Sequence, residues 1–462
     1  MRDLTEGSIP KHLLGLATPM AIGMVFQTLY YLVDLYFVAQ LGEAAIAGVG
    51  TAGNIQFIVI ALSQVLGVGT MATIAHAVGK KDRGQARLLF NQAVGLAAVC
   101  AAAMLAGYAA IGPYMRSLGA DAATTQAGVD YLRWYLPGMA LQFATVAMGS
   151  ALRGTGIEKP SMVVQMLAVT LNAILSPILI QGWLTGHPLG VRGAALASTL
   201  SVLFGVVLMT LYFLRLETYV GFARGMLRPR LAEWRRILSI GLPPGGEFGL
   251  LFIYIGVIYW VTRDFGAAAQ AGFGIGSRVM QAIFLPAMAI AFSTAPVAGQ
   301  NYGAGRIDRV RETFVSAVVM GSTLMFAVTL FCQWRPEALV TVFTQDPEVV
   351  RIGADFLRIT SWNFVASGLI FTCGGLLQAF GNTLPSLLAS STRFLTFVLP
   401  AVWMSQVADF ELHHLWYLSV ASVGLQALTN LWLLRRVYRR RAAALASPPP
   451  DPVGPETTPA VG

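Results

Sequence analysis

Apolar stretches long enough to cross a lipid bilayer recur along the whole 462-residue chain, and short polar segments separate them. A membrane-spanning helix needs about 20 apolar residues, because each residue advances the helix by about 1.5 Å. On this basis the pattern predicts spans that start near residues 14, 50, 88, 127, 160, 193, 238, 271, 312, 352, 385 and 414. We therefore predict an all-α polytopic membrane protein with twelve transmembrane helices.

The two halves of the chain resemble each other. The segment "GEAAIAGVG" (42–50) matches "GAAAQAGFG" (266–274) at an offset of 224 residues, and Arg133 meets Arg358 at an offset of 225. Six spans per repeat is an even number, so both repeats enter the membrane with the same orientation. We expect two six-helix lobes that are related by a pseudo-two-fold axis along the membrane normal and that surround a central cleft.

The repeats and the segments around them divide the chain into five parts. The predicted parts are a cytoplasmic N-terminus (1–12), an N-lobe with helices 1 to 6 (13–214), a cytoplasmic linker (215–237), a C-lobe with helices 7 to 12 (238–436) and a disordered cytoplasmic tail (437–462). The linker is basic and contains an amphipathic segment, which predicts a surface helix that contacts anionic lipid headgroups. The tail is rich in proline, which disfavours a packed structure.

Composition and charge favour a membrane protein over a nucleic-acid-binding protein. Only 11% of the residues are charged, whereas soluble proteins contain about 25%. The net charge is +9, but the basic residues lie in short loops between the spans. The side that holds both termini carries 22 Lys and Arg, and the opposite side carries 7. This bias predicts a multi-pass protein of the cell membrane with both termini in the cytoplasm.

Ionisable residues inside membrane spans are costly and usually functional. The candidates are Asp34 in span 1, Glu247 in span 7, Arg278 in span 8 and Arg393 in span 11. Arg393 lies a short distance from an interface, and we assign it no role. The other three residues are the ones for which a function has to be considered.

Asp34 is the most isolated of these residues, since the apolar run from about Leu13 to Leu41 contains no other charge. Gln27 and Tyr31 lie seven and three residues before it, so the three side chains form one polar stripe on a helix. Pro19 interrupts one backbone hydrogen bond and provides a hinge. A carboxylate in such surroundings is suited to bind a proton or a hard cation such as Na⁺.

Neutral oxygen groups in spans 5 and 6 are candidate partners for Asp34. Asn172 and Ser176 are four residues apart and share one helical face, and Ser198 and Thr199 follow in span 6. We predict that these residues form a cation-coupling site with Asp34. We also expect Gln27, Tyr31, Asp34 and Asn172 to line the substrate cavity. Small polar residues in membrane helices can alternatively serve packing alone.

Glu247 has two interpretations. It falls at the position of Gly23 in the first repeat, so the two lobes differ in charge there. Glu247 is either a functional group of the C-lobe or half of an ion pair with Arg278.

Enzyme signatures are not found. The sequence contains no GxxxxGK[ST], HExxH or GxSxG motif and no Cys/His cluster, and its three cysteines lack the spacing of metal ligands. We therefore predict a protein that is not an enzyme, has no cofactor and no metal site, and draws its energy from an ion gradient.

Several motifs resemble those of the MATE (multidrug and toxic compound extrusion) transporters, and the resemblance extends from about Ile9 to Arg436. Its carriers are "PMAIGMVFQTLYYLVDLYFVAQLG", "GKKDRGQAR", "ALRGTGIEKP", "NAILSPILI", "GAALASTLS", "GQNYGAGRIDRVRE" and "GLLQAFGNTLP". The resemblance implies two lobes around a cleft and export of cationic or amphipathic compounds by H⁺ or Na⁺ antiport. It also implies that Asp34 is the family's acidic residue of the first helix and that Asn172 is its ligating Asn.

Three positions depart from the family's patterns. Ser176 stands where members with an N-lobe cation site often have Asp, span 10 has no acidic residue, and Glu247 lies one turn earlier than the span-7 Glu of another branch. Coupling is therefore predicted to rest on Asp34. One carboxylate attracts Na⁺ less than two, so we favour H⁺ over Na⁺.

The leading hypothesis is a monomeric, secondary active multidrug exporter whose partners are its small-molecule substrates and membrane lipids. The alternative is a flippase for a lipid-linked saccharide precursor, which would need a positively lined cavity. A third possibility is a membrane scaffold or receptor, which has no need for a buried carboxylate beside a hinge proline.

Overall fold

The computed structural model describes residues 1–119, 121–184, 186–407 and 409–446. Its helices form twelve segments, and each predicted span start falls within one of them. The first half contains α1 (Ile9–Ala39), α2 (Glu43–Gly79), α3 (Arg83–Leu118), α4 (Ala122–Gly154), α5 (Lys159–Ile180) and α6 (Val191–Arg215). The second half contains α7 (Leu231–Phe265), α8 (Ala267–Gly303), α9 (Ile307–Trp334), α10 (Pro347–Thr360 and Asn363–Ala379), α11 (Leu384–Met404) and α12 (Leu412–Ala446).

The lengths and hydropathy of these segments agree with the predicted membrane architecture. Within the described ranges, ten segments are long and apolar enough to cross a membrane. The two halves of α10 are bent by 56° and add an eleventh span as a pair. The remaining segment, α4, has 33 residues, which is ample length for a span at about 1.5 Å per residue. The prediction of an all-α fold is confirmed.

The repeat appears as equivalent glycine contacts in the two lobes. In the N-lobe, a Cβ atom at Gly48 of α2 would lie 2.8 Å from the backbone nitrogen of Gly128 of α4. In the C-lobe, a Cβ atom at Gly272 of α8 would lie 3.2 Å from the backbone nitrogen of Gly353 of α10. The first and second pairs differ by the offsets of 224 and 225 found in the sequence. The absence of a side chain lets the same two helices approach each other in both lobes.

The two lobes meet closely on the side of the molecule that carries both termini, which we call the termini side. At the end of α2, His76 Nε2 donates to the backbone carbonyl of Ala379 in α10. At the end of α8, Gln300 Nε2 donates to the carbonyl of Gly154 in α4 over 2.9 Å. Donors and acceptors are related by the repeat offsets. We call these two interactions the clasp hydrogen bonds.

The N-terminal peptide packs into the same region. The backbone nitrogen of Leu4, which is fully buried, donates to Gln300 Oε1 over 3.0 Å. Asn301 Nδ2 donates to the Leu4 carbonyl over 3.1 Å, and Arg306 Nη1 donates to the Thr5 carbonyl over 2.6 Å. The first residues of the chain therefore help to close the cleft between the lobes on the termini side.

The linker between α6 and α7 differs from the prediction. Its helical content is one 3₁₀ turn, Arg224–Met226. Two polar side chains of α3 bind its backbone instead: Asn91 Oδ1 accepts from the nitrogen of Ala223 over 2.9 Å, and Gln92 Nε2 donates to the carbonyl of Met226 over 2.6 Å. The prediction of an amphipathic surface helix was wrong, because α3 satisfies backbone groups that a helix would otherwise pair.

The last helix also continues further than predicted. The C-lobe was expected to end at residue 436, whereas α12 extends to Ala446. Residues 447–462, which make up the rest of the predicted disordered tail, lie outside the described residues.

Candidate functional site

Asp34 lies on α1 and faces the interior of the N-lobe. Its carboxylate accepts hydrogen bonds from the side chains of Tyr131 on α4 and Ser198 on α6. Its Oδ1 atom is buried, and the described residues offer that atom no hydrogen-bond partner. A buried acceptor without a partner costs about 1–3 kcal/mol. The carboxylate therefore keeps one oxygen that can bind a proton or a cation.

Two of the predicted neutral partners extend this network. Asn172 Nδ2 donates to Ser198 Oγ over 3.3 Å, so Ser198 connects Asn172 to Asp34. Ser176 lies one turn after Asn172 on the same face of α5. The Asn172 Oδ1 and Ser176 Oγ atoms are buried and have no partner in the described part of the chain. Carboxylate, amide and hydroxyl oxygens thus come together, which are the ligand types of hard cations.

The remaining residues predicted for the N-lobe site have other positions. Thr199 is not part of the network, since its Oγ1 donates to the carbonyl of Trp134 on α4 over 2.6 Å. The side chain of Tyr31 lies outside the described part of the structure. Pro19 is contained within α1, which continues as a helix on both sides of it. Thr199 packs against α4 because it follows Ser198 by one residue and points about 100° away from it.

A cavity of about 430 Å³ lies in the N-lobe next to this network. Five helices of the N-lobe form most of its wall. Neutral polar and flexible apolar side chains predominate in its lining, including Gln27, Gln64, Gln142, Gln165, Gln378, Met20, Met24, Met71, Met162 and Met209. Among the predicted cavity residues, Gln27 lines it, whereas Asp34 and Asn172 are not among the described side chains that do so.

Tyrosine side chains connect the cavity to Asp34. Tyr30, one helical turn before Asp34, lines the cavity, and so does Tyr135. The ring of Tyr135 lies 5.3 Å from that of Tyr131, measured between centroids, and Tyr131 donates to Asp34. A change at the carboxylate can therefore reach the cavity wall through two side chains in direct contact.

An acidic residue that the sequence reasoning missed lies at the termini-side end of the cavity. Glu158, in the loop before α5, lines the cavity with Arg153, and their side chains form a salt bridge of 3.8 Å. Glu158 is 8% exposed, and its Oε2 atom has no hydrogen-bond partner among the described residues. Burial raises the pKa of Glu158 to about 7, while the Arg153 guanidinium lowers it.

Glu247 does not form the ion pair that was one of its two interpretations. Arg278 is exposed, and Glu247 has no ion-pair partner in the part of the chain that the structure describes. The Glu247 carboxylate instead accepts a hydrogen bond from Ser386 on α11. The pair with Arg278 was wrong because Arg278 lies on a face of α8 that points away from the lobe interior.

Arg393 has a defined contact although we expected none. Its guanidinium lies 3.9 Å from the ring centroid of Tyr254 on α7, a cation–π arrangement. Both Glu247 and Tyr254 on α7 and Ser386 and Arg393 on α11 are separated by seven residues. The two contacts therefore form successive rungs between parallel helices. Arg393 directly precedes a π-helical turn, Phe394–Val398.

Sequence reasoning missed Tyr131 and Glu158 for different reasons. Tyr131 lies in an aromatic-rich span, and its role as donor depends on how α4 packs against α1. A signal was present, since the repeat has Phe356 at this position and hence no hydroxyl. Glu158 belongs to a short loop between spans, where a carboxylate is ordinarily solvated.

Comparisons with known proteins place the chain in a family. The MatE family model matches residues 19–178 and 247–404. The "Probable multidrug resistance protein NorM" of Thermotoga maritima is 27% identical over 94% of this chain and 94% of its own length. The "FAD transporter" of Shewanella oneidensis is 23% identical over 88% and 90%, respectively.

The fold is similar to that of solved transporters. One such structure, described as the outward-facing conformation of a multidrug resistance MATE family transporter of the MOP superfamily, has a TM-score of 0.87. It is 26% identical in sequence, and the alignment covers 96% of this chain and 98% of that one. The MatE model covers both halves of the chain and more than half of its residues. The chain therefore belongs to the MatE family of membrane transporters and is not an enzyme.

Proposed function

We propose that this protein is a secondary active multidrug exporter that exchanges cationic or amphipathic compounds for protons, with Asp34 as the coupling residue. The observation that carries the proposal is the Asp34 network, in which a carboxylate with one unpartnered buried oxygen is connected to the wall of a neighbouring cavity. Intramembrane carboxylates of this kind mark ion pathways in transporters.

The chemistry of the cavity supports a broad substrate range. Five methionines line it, and their flexible, polarisable side chains adapt to ligands of different shape. Five glutamines offer both donors and acceptors. The charged side chains of the lining are Arg153 and Glu158, which form a salt bridge with each other. The cavity therefore carries no net formal charge, which suits neutral and amphipathic compounds and leaves Asp34 to attract cations.

The same feature speaks against strongly anionic substrates. A lipid-linked saccharide with a pyrophosphate, or a flavin nucleotide such as the one named for the Shewanella oneidensis relative, requires several compensating cations in the cavity. Arg153 is the cavity's one arginine in the described lining, and Glu158 already neutralises it. The flippase alternative therefore lacks the positively lined cavity on which it depends.

Protonation of Asp34 supplies the coupling step. The ionised carboxylate accepts from Tyr131 and Ser198, which holds α1 against α4 and α6. Addition of a proton converts one acceptor oxygen into a donor and removes the charge, so these interactions and the affinity for a cationic compound weaken together. Proton and substrate thus bind in competition, and the site couples their movements by linkage. Two hydroxyl donors satisfy a carboxylate well, which favours H⁺ over Na⁺.

Transport by protein reconstituted in liposomes tests this proposal. Efflux of a fluorescent cationic drug should follow a pH gradient and not a sodium gradient. Asp34→Asn retains the size and the hydrogen-bonding capacity of a protonated carboxyl group, so it should fold but lose gradient-driven efflux. Ser176→Ala serves as the matched control if the site binds protons, whereas a loss of sodium-driven transport in that variant would support Na⁺ coupling. Normal proton-driven efflux by folded Asp34→Asn protein would place the coupling proton elsewhere.

We also place both termini in the cytoplasm, which the excess of basic residues on their side supports. A membrane-impermeant thiol reagent added to intact cells should modify a cysteine introduced at Glu337 and leave one at Arg228 unmodified. The reverse labelling pattern would invert the topology.

A further inference from the structure

The two lobes differ in charge at one equivalent place on the side opposite the termini. In the C-lobe, Arg358 of α10 forms a salt bridge with Glu337, with 3.0 Å between Nη2 and Oε1. At the offset of 225 residues, Arg358 corresponds to Arg133 of α4, whereas Glu337 corresponds to Gly112 of α3. Arg133 therefore lacks the carboxylate that neutralises its counterpart.

A second arginine takes the place of the missing carboxylate. A Cβ atom added to Gly112 would lie 3.3 Å from Nη1 of Arg116. The Arg116 guanidinium thus covers the point from which the Glu337 side chain extends in the other lobe. The residue that corresponds to Arg116 in the C-lobe is the uncharged Thr341. Where the C-lobe has an ion pair, the N-lobe has two cations.

Both guanidinium groups face one pocket. Arg116 and Arg133 line a pocket of about 420 Å³ together with Thr125 and Gln126 from the first turns of α4. In the described part of the chain neither arginine forms a salt bridge. Like charges that share a pocket repel each other, and this repulsion is relieved when an anion lies between them.

The neighbouring carboxylates are engaged elsewhere. Asp130, one turn before Arg133, forms a salt bridge with Arg192 of α6 over 3.1 Å. Asp121 caps the N-terminus of α4, where its Oδ1 accepts from the backbone nitrogen of Thr124 over 2.7 Å. Internal acids therefore do not supply the anion in the way that Glu337 does in the C-lobe.

We propose that this pocket binds a phosphate group. Two guanidinium groups can form bidentate hydrogen bonds with phosphate oxygens, and Thr125 and Gln126 add a hydroxyl and an amide donor. The nearby N-terminus of α4 contributes a partial positive charge. The exposed side chains of Trp134 and Tyr108 lie next to Arg133, and such residues are typical of the membrane–water interface. The phosphate belongs either to a lipid headgroup or to a soluble anion.

The substitution Gly112→Glu provides a test that leaves both arginines in place. It restores the carboxylate of the C-lobe, and the atom nearest to the new Cβ is the end of the flexible Arg116 side chain, so the site can accommodate it. The full-length protein in detergent is exposed to phosphatidylglycerol or phosphatidylcholine, and the retained lipid is counted by native mass spectrometry. Binding of inorganic phosphate is measured separately by calorimetry.

Wild-type protein should retain phosphatidylglycerol in preference to phosphatidylcholine, or bind inorganic phosphate. Gly112→Glu and the double variant Arg116→Gln/Arg133→Gln should each weaken that binding at least about tenfold, since each loses charge-assisted hydrogen bonds. Arg335→Gln, which removes an arginine on the same side but outside the pocket, should bind like wild type. Selective loss of lipid identifies a headgroup site, and selective loss of phosphate identifies a soluble ligand. Unchanged binding of both probes in the double variant overturns the proposal, also if Gly112→Glu fails to fold.

Discussion

The N-lobe and the C-lobe pack their helices in the same way but fill equivalent interior positions with opposite chemistry. The polar residues Asp34, Tyr131 and Asn172 correspond at the repeat offsets to Ile258, Phe356 and Phe397. The three C-lobe side chains are buried together in one hydrophobic cluster. In the N-lobe the equivalent positions hold the hydrogen-bonded network around the Asp34 carboxylate.

This difference separates what the fold requires from what the function requires. The C-lobe demonstrates that the backbone packs well with apolar side chains at these positions. The N-lobe instead keeps buried polar atoms without partners, each of which costs about 1–3 kcal/mol. Stability does not account for such groups, so their retention in one lobe points to ion or substrate binding there.

The largest expected effect concerns the two buried carboxylates of α1 and α7. Asp34→Asn should reduce gradient-driven efflux to background in reconstituted protein. Glu247→Gln should leave transport per folded molecule nearly unchanged and lower the free energy of unfolding by about 1 kcal/mol, because it weakens one hydrogen bond to Ser386. Normal yield of folded Glu247→Gln protein without transport would make Glu247 a coupling residue and end the functional asymmetry of the lobes.

The clasp hydrogen bonds should differ in strength although they are related by symmetry. Gln300 donates to Gly154 and also accepts from the Leu4 nitrogen, whereas His76 has one interaction with Ala379. Gln300→Ala should therefore shift the population away from closure on the termini side more than His76→Ala. A loss of about 1–3 kcal/mol corresponds to a shift of about 5- to 150-fold.

Spin labels at Lys159 and Arg439, in a background without native cysteines, measure the distance between the lobes on the termini side. His76→Gln is the control, since it places in α2 the amide that already serves this purpose in α8. The same distance distribution in Gln300→Ala and in wild type would contradict a role of the clasp in closure.

A smaller effect concerns pH and again one lobe alone. Burial raises the pKa of Glu158 to about 7, so the folded protein binds a proton there more tightly than the unfolded chain. The free energy of unfolding should be highest below pH 4.5 and decrease by about 1–3 kcal/mol as pH rises from about 4.5 to 7. Thermal unfolding of the purified protein at pH 5 and pH 8 measures this contribution.

The C-lobe provides the control substitution for Glu158. Its counterpart at the offset of 225 residues is Thr383, whose hydroxyl donates to the carbonyl of Ile240 over 2.6 Å and does not titrate in this range. Glu158→Thr should therefore have a smaller difference in unfolding temperature between pH 5 and pH 8 than wild type. An equal difference in both proteins would assign the pH dependence to another group.

The fold could be predicted from the sequence because each span is long and the repeat is nearly constant in offset. The linker could not be predicted, since its conformation depends on Asn91 and Gln92 of α3, which are more than 100 residues away. Hydrophobic periodicity reports on single helices and contains no information about such partners.

The site was predicted in part for the same reason. A lone carboxylate in an apolar span and the spacing of Asn172 and Ser176 are properties of single helices. The hydrogen bond from Tyr131 and the salt bridge of Glu158 arise from packing between helices, as does the exposure of Arg278. Comparison of the two repeats would have identified Tyr131, because a hydroxyl replaces the hydrogen of Phe356 at an otherwise matching position.

The smallest expected effect comes from exchanging that hydroxyl between the lobes. Tyr131→Phe removes one of the two side-chain donors to Asp34 and gives the N-lobe the C-lobe residue. The loss of one hydrogen bond to a charged group amounts to about 1.5–3 kcal/mol, and Ser198 still binds the carboxylate. We expect the drug concentration for half-maximal efflux and the pH at which efflux is half-maximal to change, while transport itself persists.

The reciprocal substitution Phe356→Tyr should have a different result. It places a hydroxyl in the hydrophobic cluster that contains Ile258 and Phe397, where the aligned residues provide no carboxylate to accept from it. Stability should decrease by about 1–3 kcal/mol, measured by thermal unfolding, with the pH dependence of efflux unchanged. A shifted pH profile in Phe356→Tyr together with an unchanged one in Tyr131→Phe would mean that proton coupling lies in the C-lobe, opposite to the asymmetry that the two interiors indicate.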